Sequence, residues 1–172
     1  MEYLFLTDKV ITKFIYSALL NNGFFDLVFS FFSMIGSSIL VWITLLICLI
    51  IFEEKRNHSF FITLAISILV TSFTVNGVLK NIIQRPRPRM TIFSSANCPK
   101  DYSFPSGHAS TAFAAATVIA FYDKKRRWLY YSVAGLISFS RIYLGCHYFF
   151  DVIAGGIIGY LISFVTFNLE KK

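Results

Sequence analysis

Hydrophobic and polar positions repeat along this chain on two length scales. In residues 8–21 the apolar pairs Val10/Ile11, Phe14/Ile15 and Ala18/Leu19 recur every four residues, with Asp8/Lys9, Thr12/Lys13 and Tyr16/Ser17 between them. One apolar stripe on a helix predicts an amphipathic helix lying in a membrane interface. A short helix packed on a bundle is the plainer alternative. Asn21-Asn22-Gly23 stops it. Further on the pattern becomes long uncharged runs. Residues 27–52 and 59–79 carry no charge at all. Residues 106–122, 128–144 and 148–169 are three more apolar runs, the second holding Arg141 and the third Asp151. Runs of about 20 apolar residues are membrane-span length. The stretch 80–105 holds Pro86, Pro88, Pro99 and Pro105 and is too irregular to span. The predicted fold class is therefore all-α: an integral membrane bundle of about five transmembrane helices plus an N-terminal interfacial amphipathic helix. It forms a single domain over 1–172, with 80–105 as its long polar loop.

Composition agrees with that class and adds a question. Hydrophobic residues make up 56% of the 172, and charged residues only 15%, yet the net charge is +7. So apolar a chain excludes intrinsic disorder and disfavours a soluble single-core domain. A basic balance can serve nucleic acid, anionic lipid or a phosphate-bearing substrate. Nothing resembles a solvated nucleic-acid module, and no protein partner is called for, so membrane lipid and lipid phosphate lead. Five spans place residues 53–58, 123–127 and the C-terminus on one side, and the N-terminal helix, residues 80–105 and the turn near Gly145 on the other. The cluster Lys124-Lys125-Arg126-Arg127 assigns the first side to the cytoplasm.

The ionisable residues at span ends fall together on the opposite side: Lys80, Arg87, His108, Arg141, His147 and Asp151. Charges there are costly, and so are candidates for function. His147 and Asp151 are four apart, so on a helix they share a face. The carboxylate would hold one ring nitrogen and leave the other free as nucleophile or base. A polar pair that only fixes helix packing is the alternative. In Pro105-Ser106-Gly107-His108, Ser106 suits an N-cap and Gly107 admits a ligand close to the backbone. The free N–H groups of that helix start would bind an anion. A plain turn entering a span is the alternative. Lys80 and Arg87 are seven apart, so a continued helix would align them, with Pro86 and Pro88 ending it. Snorkelling at the membrane edge is the alternative for such cations, and it suits Arg85, Arg89 and Lys100. Asp151 alone cannot hold a divalent metal, so neither a metal nor any other cofactor is expected.

Taken together, Lys80-x6-Arg87-Pro88, Pro105-Ser106-Gly107-His108 and Ser140-Arg141-x5-His147-x3-Asp151 match in order the three motifs of a known family. The sequence resembles the type 2 phosphatidic acid phosphatase (PAP2) family of membrane lipid phosphatases. The likeness covers residues 80–151 without departure from the pattern. It implies a metal-independent hydrolysis through a phosphohistidine. His147 would be the nucleophile, with Asp151 orienting it and His108 protonating the leaving lipid oxygen. Lys80, Arg87, Ser106, Gly107 and Arg141 would bind the phosphoryl oxygens. Small bacterial-type members imply phosphatidylglycerol phosphate, undecaprenyl diphosphate or lipid A 1-phosphate as substrate, with loose overall similarity leaning toward the last. They also imply an inner-membrane location with the site facing the periplasm. A phosphotransferase using the same intermediate is the rival enzyme, and a non-enzymatic membrane transporter the rival of another class. Cys98 and Cys146 both fall on the outer side. A disulfide tying residues 80–105 beside His147 is conceivable there, and the spacing leaves it open.

Overall fold

In the computed structural model, residues 2–19, 24, 27–29, 31, 58–88 and 98–170 are described. They are all-helical, with no strand among them. Helix α1 spans Glu2–Leu19. Helix α2 runs His58–Ile83 without a break, its middle (Phe73–Leu79) wound as a π-helix. Then come α3 (Gly107–Tyr122), α4 (Arg127–Tyr143) and α5 (Phe149–Glu170). By length and composition, α2 with 26 residues and α5 with 22 are each able to cross a membrane. The runs expected at 106–122, 128–144 and 148–169 become helices displaced by one residue at most at each end. Nearly all of the run expected at 27–52 lies outside the described residues. Its residues 27–29 are helical, and Phe29 packs on Phe139 and Tyr143 of α4.

Helix α3 lies at the centre, against α2, α4 and α5. Its sequence explains why. Ala109, Ala112, Ala114, Ala115, Ala116 and Ala120 are buried, and such short side chains let neighbouring backbones come close. Helix α5 answers with glycine. A Cβ added at Gly155 would lie 2.5 Å from the Ser106 carbonyl oxygen, and one at Gly159 would lie 2.0 Å from that of Ser110. The two helices therefore cross nearly backbone to backbone, and Ser163 Oγ donates to the Ala114 carbonyl 3.1 Å away just beyond. On the outside of α5, Ile153, Ile157, Leu161 and Val165 are exposed, as a lipid-facing surface requires.

Two expectations need correction. Helix α1 starts six residues before the amphipathic stretch read at 8–21, and its polar side is divided: Lys9, Lys13 and Ser17 are exposed as read, but two of its polar residues turn inward. Asp8 and Thr12, assigned to the wet side, are almost fully buried, while Phe5, Leu6, Val10 and Phe14 are exposed. The reason is capping. The first backbone N–H groups of α5 lack intrahelical acceptors, and α1 supplies them. Phe150 N donates to Asp8 Oδ1 at 2.9 Å, and Phe149 N donates to Thr12 Oγ1 at 3.0 Å.

Candidate active site

The site forms where the end of α2, the start of α3 and the turn from α4 to α5 converge. Helix α2 carries Lys80 and stops at Ile83, because Gln84 adopts the left-handed conformation (φ 50°) and its N–H closes on the Lys80 carbonyl at 3.0 Å. Pro86 and Pro88 keep the following residues out of a helix. Lys80 and Arg87 thus do not align along one helix as the spacing suggested. The chain turns, and both still converge on one group, Asp101. Lys80 Nζ pairs with Asp101 Oδ2, and Arg87 Nη2 pairs with Asp101 Oδ1 at 2.5 Å. Burial raises the affinity of the Asp101 carboxylate for a proton, but its hydrogen bonds from Lys80 and Arg87 outweigh that and hold it below the ordinary carboxylate range.

Ser106 is the N-cap of α3, accepting from Ala109 N at 3.4 Å. Its own N–H donates to the Asp151 carbonyl at 2.9 Å, which locks the start of α3 to the first turn of α5. Gly107 faces α2, and the atom nearest to it is the end of a side chain that can move aside. A Cβ there would lie 2.7 Å from Asn76 Oδ1, so the π-wound segment of α2 occupies the space beside it. His108 follows, within electrostatic reach of Arg141, His147, Lys80 and Arg87. Arg141 sits in the last turn of α4 and is 1% exposed. Its carbonyl accepts from Cys146 N (3.0 Å) and His147 N (3.2 Å), closing a turn that needs Gly145 at φ 67°.

That turn presents His147, which is fully buried. Arg87 Nη1 donates to its Nε2 at 2.9 Å and to the Cys146 carbonyl at 2.7 Å. An arginine has no acceptor, so Nε2 carries the lone pair and the neutral ring's proton sits on Nδ1. Nδ1 faces Asp151 Oδ2 and Ser103 Oγ, each at 3.5 Å. Burial lowers the affinity of His147 for a second proton. The Asp151 contact opposes this and Arg87 and Arg141 reinforce it, bringing the ring down to about 4. At neutral pH the ring is uncharged, with its lone pair directed at the cations.

Asp151 itself is completely buried. It accepts from Ser103 Oγ, from Tyr148 N at 2.9 Å and from Arg85 Nη1 at 2.5 Å. Cys98 and Cys146 form a disulfide with Cα atoms 5.4 Å apart, tying the segment of Asp101 and Ser103 to the turn of His147. The structure thus brings together all eight residues singled out from the sequence: Lys80, Arg87, Ser106, Gly107, His108, Arg141, His147 and Asp151.

It also brings in residues that sequence reasoning missed or misread. Arg85 does not snorkel. It is buried between Asp8 and Asp151, stacked 4.0 Å from the Tyr148 ring and 4.4 Å from that of Phe5. Arg89 lies outside the described residues, and Lys100 is exposed as expected. Asp101 had one signal in the sequence, being the sole acidic residue of 80–105. Ser103 had none. Among the described residues no three His, Cys, Asp or Glu side chains cluster to hold a metal ion.

The helical bundle thus gathers a buried basic pocket, a neutral histidine and its carboxylate at one end. The chain belongs to the PAP2 superfamily, which it matches over residues 59–172. Among its relatives is an undecaprenyl-diphosphatase of Sulfolobus acidocaldarius, 36% identical over 139 residues, covering 76% of this chain and 64% of that protein. Another is phosphatidylglycerophosphatase B of Bacillus subtilis, 34% identical over 113 residues, covering 59% of this chain and 54% of that protein. The chain therefore spans between half and two thirds of the length of these relatives. The crystal structure of a transmembrane PAP2-type phosphatidylglycerolphosphate phosphatase from Bacillus subtilis superposes with a TM-score of 0.72, at 25% identity, covering 99% of this chain and 88% of that one.

Proposed function

We propose that this protein is a metal-independent phosphatase of membrane lipids, working through a phosphohistidine on His147. The observation that carries the reading is the poise of His147: uncharged, its Nδ1 turned to Asp151 and its Nε2 lone pair turned to Arg87. Phosphoryl transfer depends mostly on positioning and charge stabilisation, and the pocket supplies both. Lys80, Arg87 and Arg141, with the Ser106 hydroxyl and the N–H of Gly107, bind the phosphoryl oxygens. As substrate enters, Arg87 Nη1 turns from Nε2 to a phosphoryl oxygen, which frees the lone pair, and Nε2 of His147 attacks phosphorus in line. The P–O bond to the lipid breaks as His108 gives its proton to the leaving oxygen. Asp151 steadies the positive charge that the ring acquires. A water then attacks the phosphohistidine and gives a proton to His108, which frees inorganic phosphate and restores both histidines.

The relatives' activities support a lipid phosphate as substrate. Undecaprenyl diphosphate, phosphatidylglycerol phosphate and lipid A 1-phosphate are the candidates. We place five spans in the membrane (27–52, 59–79, 106–122, 128–144, 148–169) within one domain over 1–172. The basic turn 123–127 lies in the cytoplasm and the site lies on the periplasmic face of a bacterial inner membrane. The test is phosphate release from a panel of these lipids in detergent micelles. Wild type should release phosphate, vanadate should inhibit it, and His147→Ala should be inert with an unchanged melting temperature. Near-wild-type turnover by His147→Ala would remove the nucleophile assignment. A phosphorylated second lipid in place of free phosphate would make the enzyme a phosphotransferase.

A further inference from the structure

The pocket described so far leaves out a buried ionic chain that reaches it from behind. Asp8 Oδ2 of α1 pairs with Arg85 Nη2 at 2.7 Å, and Arg85 Nη1 pairs with Asp151 Oδ1 at 2.5 Å. Asp8 is 1% exposed, Arg85 8% and Asp151 0%. Three charges so deeply buried stand only because each is paired. Resting on the phosphatase reading above, we propose that Arg85 and Asp8 are positioning residues of the active site: Arg85 fixes the plane and charge of Asp151 for His147, and Asp8 fixes Arg85.

The carboxylate geometry carries this. Oδ2 of Asp151 receives Ser103 Oγ and Tyr148 N and faces His147 Nδ1, while Arg85 holds Oδ1. Without Arg85 the carboxylate is anchored through one oxygen and is free to rotate away from the ring. Arginine is needed because one planar fork spans two carboxylates, which a lysine point charge does not do. The Tyr148 and Phe5 rings sandwich the guanidinium and hold its plane. Asp8 has a second task. By neutralising Arg85 it leaves the charge of Asp151 available to a ring that turns positive during the reaction. The match to the family begins at residue 59. Asp8 thus lies outside the matched region, and α1, which reads as a membrane-surface helix from sequence, becomes part of the catalytic assembly.

The groups facing His147 set the pH test. Asp151 and Ser103 face Nδ1, Arg87 faces Nε2, and Arg141 and His108 act from α4 and α3, with Lys80 and Asp101 beyond Arg87. Removing Arg85 takes away the cation competing for Asp151. His147 then charges more easily, and the acid limb of kcat moves up in pH. Removing the charge of Asp8 turns Arg85 wholly onto Asp151 and moves the limb down. Opposite shifts from two neighbouring substitutions would not follow from loosened packing.

The experiment uses the full chain in lipid–detergent micelles, with wild type and His147→Ala beside Arg85→Gln, Arg85→Lys and Asp8→Asn. Arg85→Gln should lower kcat about 100-fold, with KM changed by no more than about threefold, because the phosphate-binding cations are untouched. Asp8→Asn should lower kcat about tenfold, and Arg85→Lys, which keeps the charge but not the fork, should remain at least about tenfold below wild type. Melting temperatures show which variants are folded. Wild-type kcat in folded Arg85→Gln or Asp8→Asn overturns the proposal, and so does a loss of kcat without the opposed shifts of the acid limb. If Arg85→Gln does not fold, wild-type kcat and an unmoved limb in Asp8→Asn overturn it. Turnover retained by His147→Ala takes down the nucleophile assignment first, and this inference with it, whereas no phosphate release by wild type takes down the phosphatase reading itself.

Discussion

The crossing of α3 and α5 gives a sharp test of how backbone packing sets the chemistry. Gly155 is one helical turn beyond Asp151 and touches no residue assigned a chemical role except through the Ser106 backbone. In Gly155→Ala the new Cβ would meet the Ser106 carbonyl oxygen at 2.5 Å, where ordinary contact begins at 3.4 Å. The neighbour is backbone, so relief must come from the helices parting by about 0.9 Å at that level. Overpacking of this kind costs about 1–3 kcal/mol. The same movement stretches the 2.9 Å bond from Ser106 N to the Asp151 carbonyl and shifts the anion-binding start of α3 against His147. A misplacement of about 1 Å at reacting groups costs about 100-fold in rate. We therefore expect kcat for phosphate release to fall about 100-fold with every polar site residue intact, and the melting temperature to fall by a few degrees. Gly135→Ala is the control, since a Cβ there meets nothing within 4 Å. It should leave kcat unchanged and stabilise α4 by up to about 1 kcal/mol. Wild-type turnover in Gly155→Ala, or equal losses in both variants, would refute the reasoning.

Three further expectations follow from the site. Asp101 occupies Lys80 and Arg87 in the absence of substrate, so Asp101→Asn should tighten inhibition by vanadate and inorganic phosphate about tenfold, and weaker inhibition would show that Asp101 instead builds the pocket. The His147 ring is held at about 4 in the fold against an ordinary 6.5, so between those values the unfolded chain binds the extra proton. Stability should therefore fall as pH drops from about 6.5 towards 4, and His147→Gln should flatten that part of the melting-temperature profile. Because protein cations face the phosphate, incubation with EDTA should leave turnover within about twofold of the untreated enzyme, and loss restored by added Mg²⁺ would contradict this.

What the sequence made legible followed from strong local signals. Apolar runs bounded by charge located α2, α3, α4 and α5 closely, because a membrane span leaves few alternatives for the backbone. The site residues were legible through ordered motif spacing. What stayed hidden depended on contacts between distant segments. Asp8 and Thr12 look like a wet helix face until the first turn of α5 appears as their partner, 137 to 142 residues along the chain. Arg85 looks like a membrane-edge cation until two carboxylates close around it. Gly155 and Gly159 gave no signal, because their role is the absence of a side chain against a particular carbonyl. The disulfide could not be decided by spacing, since it depends on a Cα separation of 5.4 Å set by the turn after α4.

The arrangement of charge explains how such a pocket can be buried. Four cations gather there, Lys80, Arg85, Arg87 and Arg141, with three carboxylates, Asp8, Asp101 and Asp151. The set is thus one positive charge from balance before substrate arrives, which keeps burial tolerable. Asp8 and Asp151 are sealed in, whereas the side chain of Asp101 is 44% exposed and stands on the segment facing outward. If a phosphate dianion displaced it into water, four cations would face two carboxylates and two phosphate charges, in balance. A monoanion would balance the set with Asp101 still in place, and so would not need to displace it. The exposure of Asp101, which lets it move aside for a dianion, therefore fits a phosphate monoester or diphosphate terminus, and inhibition by phosphate should gain more from Asp101→Asn than inhibition by a monoanion such as a methylphosphonate monoester does.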